Sequence, residues 1–139
     1  MAITERPIEI EGLDVETVFW DRGKEVENLD QIDIGMMPLS DDEWSKGKCG
    51  FKGIQYMSLS IPTLMSPVGV NPEIIQDGVN GYLPRSTEEW VSRISDLVDS
   101  EILRKEIGDA GRKTIEDRYS VKFAQGKLLD MLNELTGKS

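Results

Sequence analysis

Short apolar runs alternate with amphipathic stretches over the first two thirds of the chain, and three helical stripes follow. Val15 to Trp20, VETVFW, is rich in β-branched and aromatic residues and predicts a strand. The PIEIEG before it reads equally as an extended lead-in or a short edge strand. Lys24 to Leu29 predicts a short acidic helix, and the mostly apolar Ile32 to Met37, stopped by Pro38, predicts a buried strand with its exit loop from Leu39. Phe51, Ile54, Met57 and Ser58 recur at helical spacing, which predicts a helix from about Gly50 to Leu59, with the next strand at Pro62 to Ser66.

Asn71-Pro72-Glu73 is a local helix start: Asn caps, Pro suits the first helical position, and Glu complements the positive end of the dipole. That helix is expected to close near Asp77-Gly78. Asn80-Gly81 predicts a left-handed turn into a last short strand at Tyr82-Leu83, ended by Pro84. Ser86 to Glu89 matches a capping box, opening a helix whose stripe is Trp90, Val91, Ile94, Leu97 and Val98. A second helix, about Glu101 to Asp117, aligns Leu103, Ile107 and Ala110; a third, Val121 to Leu135, aligns Ala124, Leu128, Met131, Leu132 and Leu135. Both stripes are expected to face a core.

Strands alternating with helices predict an α/β fold: a partial, Rossmann-like three-layer arrangement around a parallel sheet, with a helical C-terminal tail from about 101 to 139. About four strands are expected, fewer than a self-sufficient doubly wound domain has, which suggests part of something larger. At 139 residues one domain, 1–139, is the expected count. No apolar run approaches the roughly 20 residues a membrane span requires, and MAITERPIEI has no apolar signal core, so a cytoplasmic location is expected.

A formal net charge of -10 argues against nucleic-acid binding, which needs a basic surface to displace phosphate counterions. Anions would have to be met locally. Lys46, Lys48 and Lys52 offer such a locality after the acidic Asp41-Asp42-Glu43, although charge alone favours a solvated loop. The chain has no histidine, and no Glu-x-x-His pair, Asp-x-Asp or Gly-x-Ser-x-Gly elbow occurs, so no metal site is expected and no catalytic residue is assigned. Asp41 to Glu43 reads as a helix start or solubilising loop. Cys49, the single cysteine, reads as a small loop residue. From Gly47 to Leu83 the order is glycine-lysine loop, helix, strand, helix start, turn and strand. An α/β sheet holds anions in that way, because helix N-termini beyond the strand ends point unpaired N–H groups into one crevice. Phosphate is the natural first candidate.

At Asp33-Ile34-Gly35-Met36-Met37-Pro38-Leu39, Gly47-Lys48-Cys49-Gly50-Phe51-Lys52 and Gln55-Tyr56-Met57, the chain resembles the group 1 (family 4) glycosyltransferases. The likeness continues through Ser66-Pro67-Val68-Gly69-Val70-Asn71-Pro72-Glu73 and Gly78-Val79-Asn80-Gly81-Tyr82-Leu83, and more weakly over Glu89-Trp90 and Gly108 to Arg112. The resemblance implies the GT-B architecture, with this chain as the later part of the C-terminal, donor-binding domain. It implies a nucleotide diphosphate sugar as donor substrate, no cofactor, and a missing N-terminal acceptor domain. It further implies a retaining, metal-independent hexosyl transfer that this chain would not perform alone.

Carried onto this sequence, the resemblance assigns donor binding to Gly47, Lys48, Cys49, Gly50, Phe51, Lys52 and Gln55. Family members usually hold two glutamates with seven residues between them, where this chain has Gly47 and Gln55. Gln55 can still hydrogen-bond ribose hydroxyls, without a carboxylate's charge; Gly47 cannot replace its glutamate. Phe51, Tyr56 and Met57 are mainly packing candidates. A competing reading is a non-catalytic assembly module, whose open sheet edge would allow pairing with another chain, a second copy included.

Overall fold

The computed structural model describes the backbone of residues 2–4, and residues 7 and 9–137. The chain divides into two compact units, Met1–Asp33 and Ile34–Ser139. In the first, β1 (Ala2–Thr4) pairs in parallel with β2 (Thr17–Phe19), Ile3 opposite Val18. The predicted strand at Val15 to Trp20 is therefore present but shorter. Within PIEIEG, Ile10 forms an antiparallel bridge with Leu13, closed by the Leu13 amide donating to the Ile10 carbonyl at 3.0 Å; Ile8 lies outside the described residues. The acidic helix is α1 (Glu25–Leu29), where Leu29 is buried.

The second unit contains β3 (Gly35–Met37), α2 (Glu43–Lys46), α3 (Phe51–Ser58), β4 (Thr63–Met65), α4 (Asn71–Ile74), α5 (Thr87–Asp99), α6 (Glu101–Arg118) and α7 (Val121–Thr136). Its strand starts late, since the Ile32 amide turns back to the Leu29 carbonyl and the first ladder bond is Gly35 N–H to the Pro62 carbonyl. β3 and β4 pair in parallel, Met36 opposite Leu64, and Leu64 bridges on to Tyr82. The predicted Tyr82-Leu83 strand is only this bridge. Leu83 N–H leaves the ladder for the Asp77 carboxylate at 2.8 Å, and Pro84 has no N–H to continue it.

β4 is buried throughout, and its alternating side chains build two cores. Met65 joins Met57, Ile74, Ile75, Leu83 and Ile115 on one face. Leu64 joins Tyr82, Leu97 and Ile107 on the other, flanked by Trp90, Ile94 and Leu103. Each such fully buried side chain contributes about 1.5–3 kcal/mol. Helices thus cover both faces of the parallel pair, as the three-layer reading expected. α6 reaches both cores, Ile107 in one and Ile115 in the other.

Three details differ from the sequence reading. In α5 the inward line is Trp90, Ile94 and Leu97, while Val91 and Val98 flank it in solvent, each 60% exposed. No residue of α7 is buried, so its stripe faces no core among the described residues. The turn at Asn80-Gly81 is left-handed earlier, at Gly78 (φ 75°), whose amide donates to the Gly81 carbonyl at 2.8 Å, while Asn80 closes the turn on Gln76 with both its backbone and its side chain.

Candidate ligand site at the strand ends

The C-terminal ends of β3 and β4 are knitted together. Ser66 N–H donates to the Met37 carbonyl at 3.2 Å, and the Ser66 hydroxyl accepts from Leu39 N–H at 2.8 Å. The Asn71 Nδ2 donates to the Ser66 carbonyl at 2.8 Å. Asn71 was expected to cap a helix; instead Val70 holds the cap position, and the Asn71 amide, 1% exposed, clips the loop that precedes α4. α4 also closes at Ile74, before the expected Asp77-Gly78, because the side chain of Asn80 takes the Gln76 amide at 2.7 Å.

Beyond these strand ends lies a cavity of about 500 Å³. Leu39 and Asp41 line one side, Ser66 to Val68 the second, and Pro84 to Thr87 with Trp90 the third. The predicted capping box is present at its rim: the Ser86 hydroxyl accepts from Glu89 N–H at 3.3 Å, and the Glu89 carboxylate accepts from Arg85 N–H at 2.7 Å. The Ser86 hydroxyl also holds the Glu88 carboxyl below its ordinary pKa.

The glycine-lysine segment lies behind the second wall. The acidic turn starts a helix, as one of its two readings had it: Asp42 caps α2, accepting from Ser45 N–H at 2.7 Å, and that bond holds its pKa down. Lys46 is occupied, its ammonium 3.0 Å from Glu43 and 3.5 Å from Asp41, which raises its pKa. The amides of Gly47 and Lys48 both turn back to the Ser45 carbonyl. Gly69, at φ 58°, brings its backbone against the Lys46 carbonyl, where a Cβ would stand 2.7 Å away. The loop from Ser66 to Val70 therefore borders the cavity on one side and α2 on the other.

Gly50 is the pivot of the segment. It is buried, left-handed (φ 68°) and the N-cap of α3, and a Cβ there would meet the Ile74 Cδ1 at 2.5 Å and the Asn71 Oδ1 at 3.1 Å. With no side chain at the cap, nothing from Gly50 closes the first turn of α3, whose opening amides have no acceptor inside the helix. The Cys49 thiol is exposed, and Phe51 is 57% exposed rather than packed. Met57 is fully buried and Tyr56 is half-buried, its phenol pushed up by that burial. Gln55 is partly buried, and its Oε1 is enclosed without a hydrogen-bond partner among the described residues.

None of Gly47 to Lys52, nor Gln55, lines the 500 Å³ cavity. Sequence reasoning did not single out Ser66, Arg85, Ser86 or Trp90 as site residues; the available signal was that the capping box follows directly on the strand-ending Pro84. Among the described residues no group of acids and cysteine is placed to hold a metal, and no helix is long and apolar enough to cross a membrane.

The family model of the group 1 glycosyl transferases matches residues 17–114, most of the chain. The chain belongs to this family. Spore coat protein SA of Bacillus subtilis (strain 168) is 31% identical over 78 residues, which cover 54% of this chain and 21% of that protein. The C-terminal domain of a group 1 glycosyl transferase family protein (LpcC) from Francisella tularensis superposes with a TM-score of 0.62 at 24% identity, over 79% of this chain and 57% of that one. A glycosyltransferase from Rickettsia africae ESF-5 gives 0.68 at 19% identity, over 89% and 32%. This group 1 chain thus spans about a fifth of the length of the curated relative, and its α/β fold is that of the family's C-terminal domain.

Proposed function

We propose that the Ile34–Ser139 unit is the donor half-site of a group 1 glycosyl transferase, binding the diphosphate of a nucleotide sugar at the strand ends. The observation that carries this reading is the mouth of α3 at Gly50, a cap position with no side chain to bond the first turn. Backbone N–H groups there carry the positive end of the helix dipole, and no side chain from the cap position competes for them. Lys48, exposed beside them, adds a cation. Lys46 does not contribute, because Asp41 and Glu43 already neutralise it.

In glycosyl transfer the leaving diphosphate gains negative charge as the sugar bond breaks. Fixed amides and an ammonium placed there stabilise that charge more in the transition state than in the bound donor, so the reading invokes no metal. Retention of configuration is carried over from the family alone. Gln55 serves the ribose in this reading. Its enclosed Oε1 makes no hydrogen bond, so swinging the amide outward to a ribose hydroxyl breaks none.

The acceptor side of such an enzyme would come from residues outside this chain, and the unit alone is expected to bind donor without transferring sugar. Calorimetric titration with uridine and guanosine diphosphates tests the reading. Binding of either, weakened by Lys48→Ala and by Gln55→Ala, is expected; binding that both variants leave unchanged removes these residues from the site.

A further inference from the structure

We propose that Asn71 is a positioning residue of the donor half-site, setting the mouth of α3 through Gly50; this rests on the reading of that mouth as the diphosphate site. Asn71 itself meets no ligand. Its side chain is 1% exposed and spans two segments that converge at the strand ends. At one end Nδ2 donates to the Ser66 carbonyl at 2.8 Å. At the other, Oδ1 lies against Gly50, where a Cβ would stand 3.1 Å from it.

The Ser66 end is the fixed one. Ser66 is tied to the β3 side twice, its amide donating to the Met37 carbonyl at 3.2 Å and its hydroxyl accepting from the Leu39 amide at 2.8 Å. The Gly50 end is the one that needs holding. Gly50 is the left-handed N-cap of α3 (φ 68°) and has no side chain with which to fix itself, so the direction of the first-turn amides follows from what its backbone rests on. The atoms nearest to a Cβ at Gly50 are the Ile74 Cδ1, the Asn71 Oδ1 and the Met65 Cε. Two of these are methyl groups at the ends of flexible side chains, which fill space; the Asn71 amide is planar and anchored by its hydrogen bond. Gly69, against the Lys46 carbonyl, meets the other end of the same segment, so the loop that Asn71 clips borders the glycine-lysine stretch at both ends.

The residue type fits the task. Leucine would fill the space and leave the Ser66 carbonyl without this donor, and aspartate would turn a carboxylate toward that carbonyl. Asparagine donates at one end and presents a small uncharged oxygen to the Gly50 backbone at the other. Amides that bind phosphate oxygens work over a narrow range, about 2.7–3.2 Å. A small displacement of Gly50 therefore changes affinity, although Asn71 touches nothing that binds.

Amide spectra of the ligand-free full chain, followed by calorimetric titration with uridine and guanosine diphosphates, test this. Asn71→Ala and Asn71→Asp are expected to move the Gly50 and Phe51 resonances before any ligand is added, and to weaken the parent's diphosphate affinity about tenfold or more. Ile74→Val removes the methyl contact to Gly50, folds with a small loss of stability, and is expected to leave affinity within about twofold, because the amide and not the methyl sets Gly50. A loss of stability alone would not sort the variants in this way. A parent that binds neither diphosphate removes the reading of the mouth, and this role with it. A parent that binds, with Asn71 variants that bind equally well or leave Gly50 and Phe51 unmoved, overturns the role of Asn71 alone; so does an Ile74→Val variant as damaging as Asn71→Ala.

Discussion

The Asn80 Nδ2 donates to the Thr114 hydroxyl across 2.9 Å, fastening the turn before Tyr82 to the middle of α6. The same Nδ2 lies 3.2 Å from the Ile74 carbonyl, and Oδ1 takes the Gln76 amide at 2.7 Å. One side chain, 6% exposed, therefore closes the end of α4 and docks it on α6. Asn80→Ala leaves the buried Ile74 carbonyl and the part-buried Gln76 amide without this partner and is expected to cost about 1–3 kcal/mol in urea unfolding. Thr114→Val loses one bond and should cost under about 1.5 kcal/mol.

Gly108 permits the close seating of α6. A Cβ there would run into the Ser60 carbonyl group, its carbon 2.8 Å away, where Ser60 itself is left-handed at φ 58°. In an open helix Gly→Ala stabilises by about 1 kcal/mol. At Gly108 the sign should reverse, to a loss of about 1–3 kcal/mol from overpacking against rigid backbone. Gly126 in α7 has nothing within 4 Å of its would-be Cβ, so Gly126→Ala should show the ordinary gain. Parallel denaturation of the two variants checks the contrast.

Gly50→Ala combines two faults, a left-handed φ for a residue with a Cβ and a collision with Ile74. The backbone term alone is about 1–2 kcal/mol, so a loss of at least that size is expected in the same denaturation assay.

Asp42 sets an acid limit on α2. Its pKa is lowered by the Ser45 amide, so the charged cap stabilises the fold above the ordinary aspartate value, and that contribution is lost as pH falls through the lower folded value. Asp42→Asn keeps an acceptor but cannot titrate. The difference in stability between the parent and this variant should be constant near neutrality and change only in the acid range, as followed by unfolding at stepped pH. A difference constant down to pH about 2 would contradict the assignment.

How far the sequence revealed this arrangement differs from element to element. α3, β4, α5 and α6 were legible because their apolar residues are local and periodic, as in Leu103 and Ile107 of α6. Asn71 was read as a helix cap and Asn80 as a left-handed turn residue because a buried asparagine whose amide clips distant carbonyls looks, in sequence, like any cap or turn residue. Val91, Val98 and the stripe of α7 were assigned inward because periodicity shows that a face exists and not what covers it. Tyr82 makes one bridge rather than a strand because Asp77, six residues from Leu83, captures the next amide. At the candidate site, the glycine at position 50 was legible as a helix mouth. Occupation of Lys46 by Asp41 and Glu43, and of the Gly47 and Lys48 amides by Ser45, depends on the fold of α2.

The central claim is that a diphosphate meets the amides at the mouth of α3. Backbone amide shifts of the isotopically labelled chain, followed by NMR during titration with uridine and guanosine diphosphates, measure it most directly. The account predicts the largest shifts at Cys49, Gly50 and Phe51, diminished in Lys48→Ala and at raised ionic strength. Shifts confined to Arg85, Ser86 and Thr87 on the cavity wall, with Gly50 and Phe51 unmoved at saturation, would contradict it.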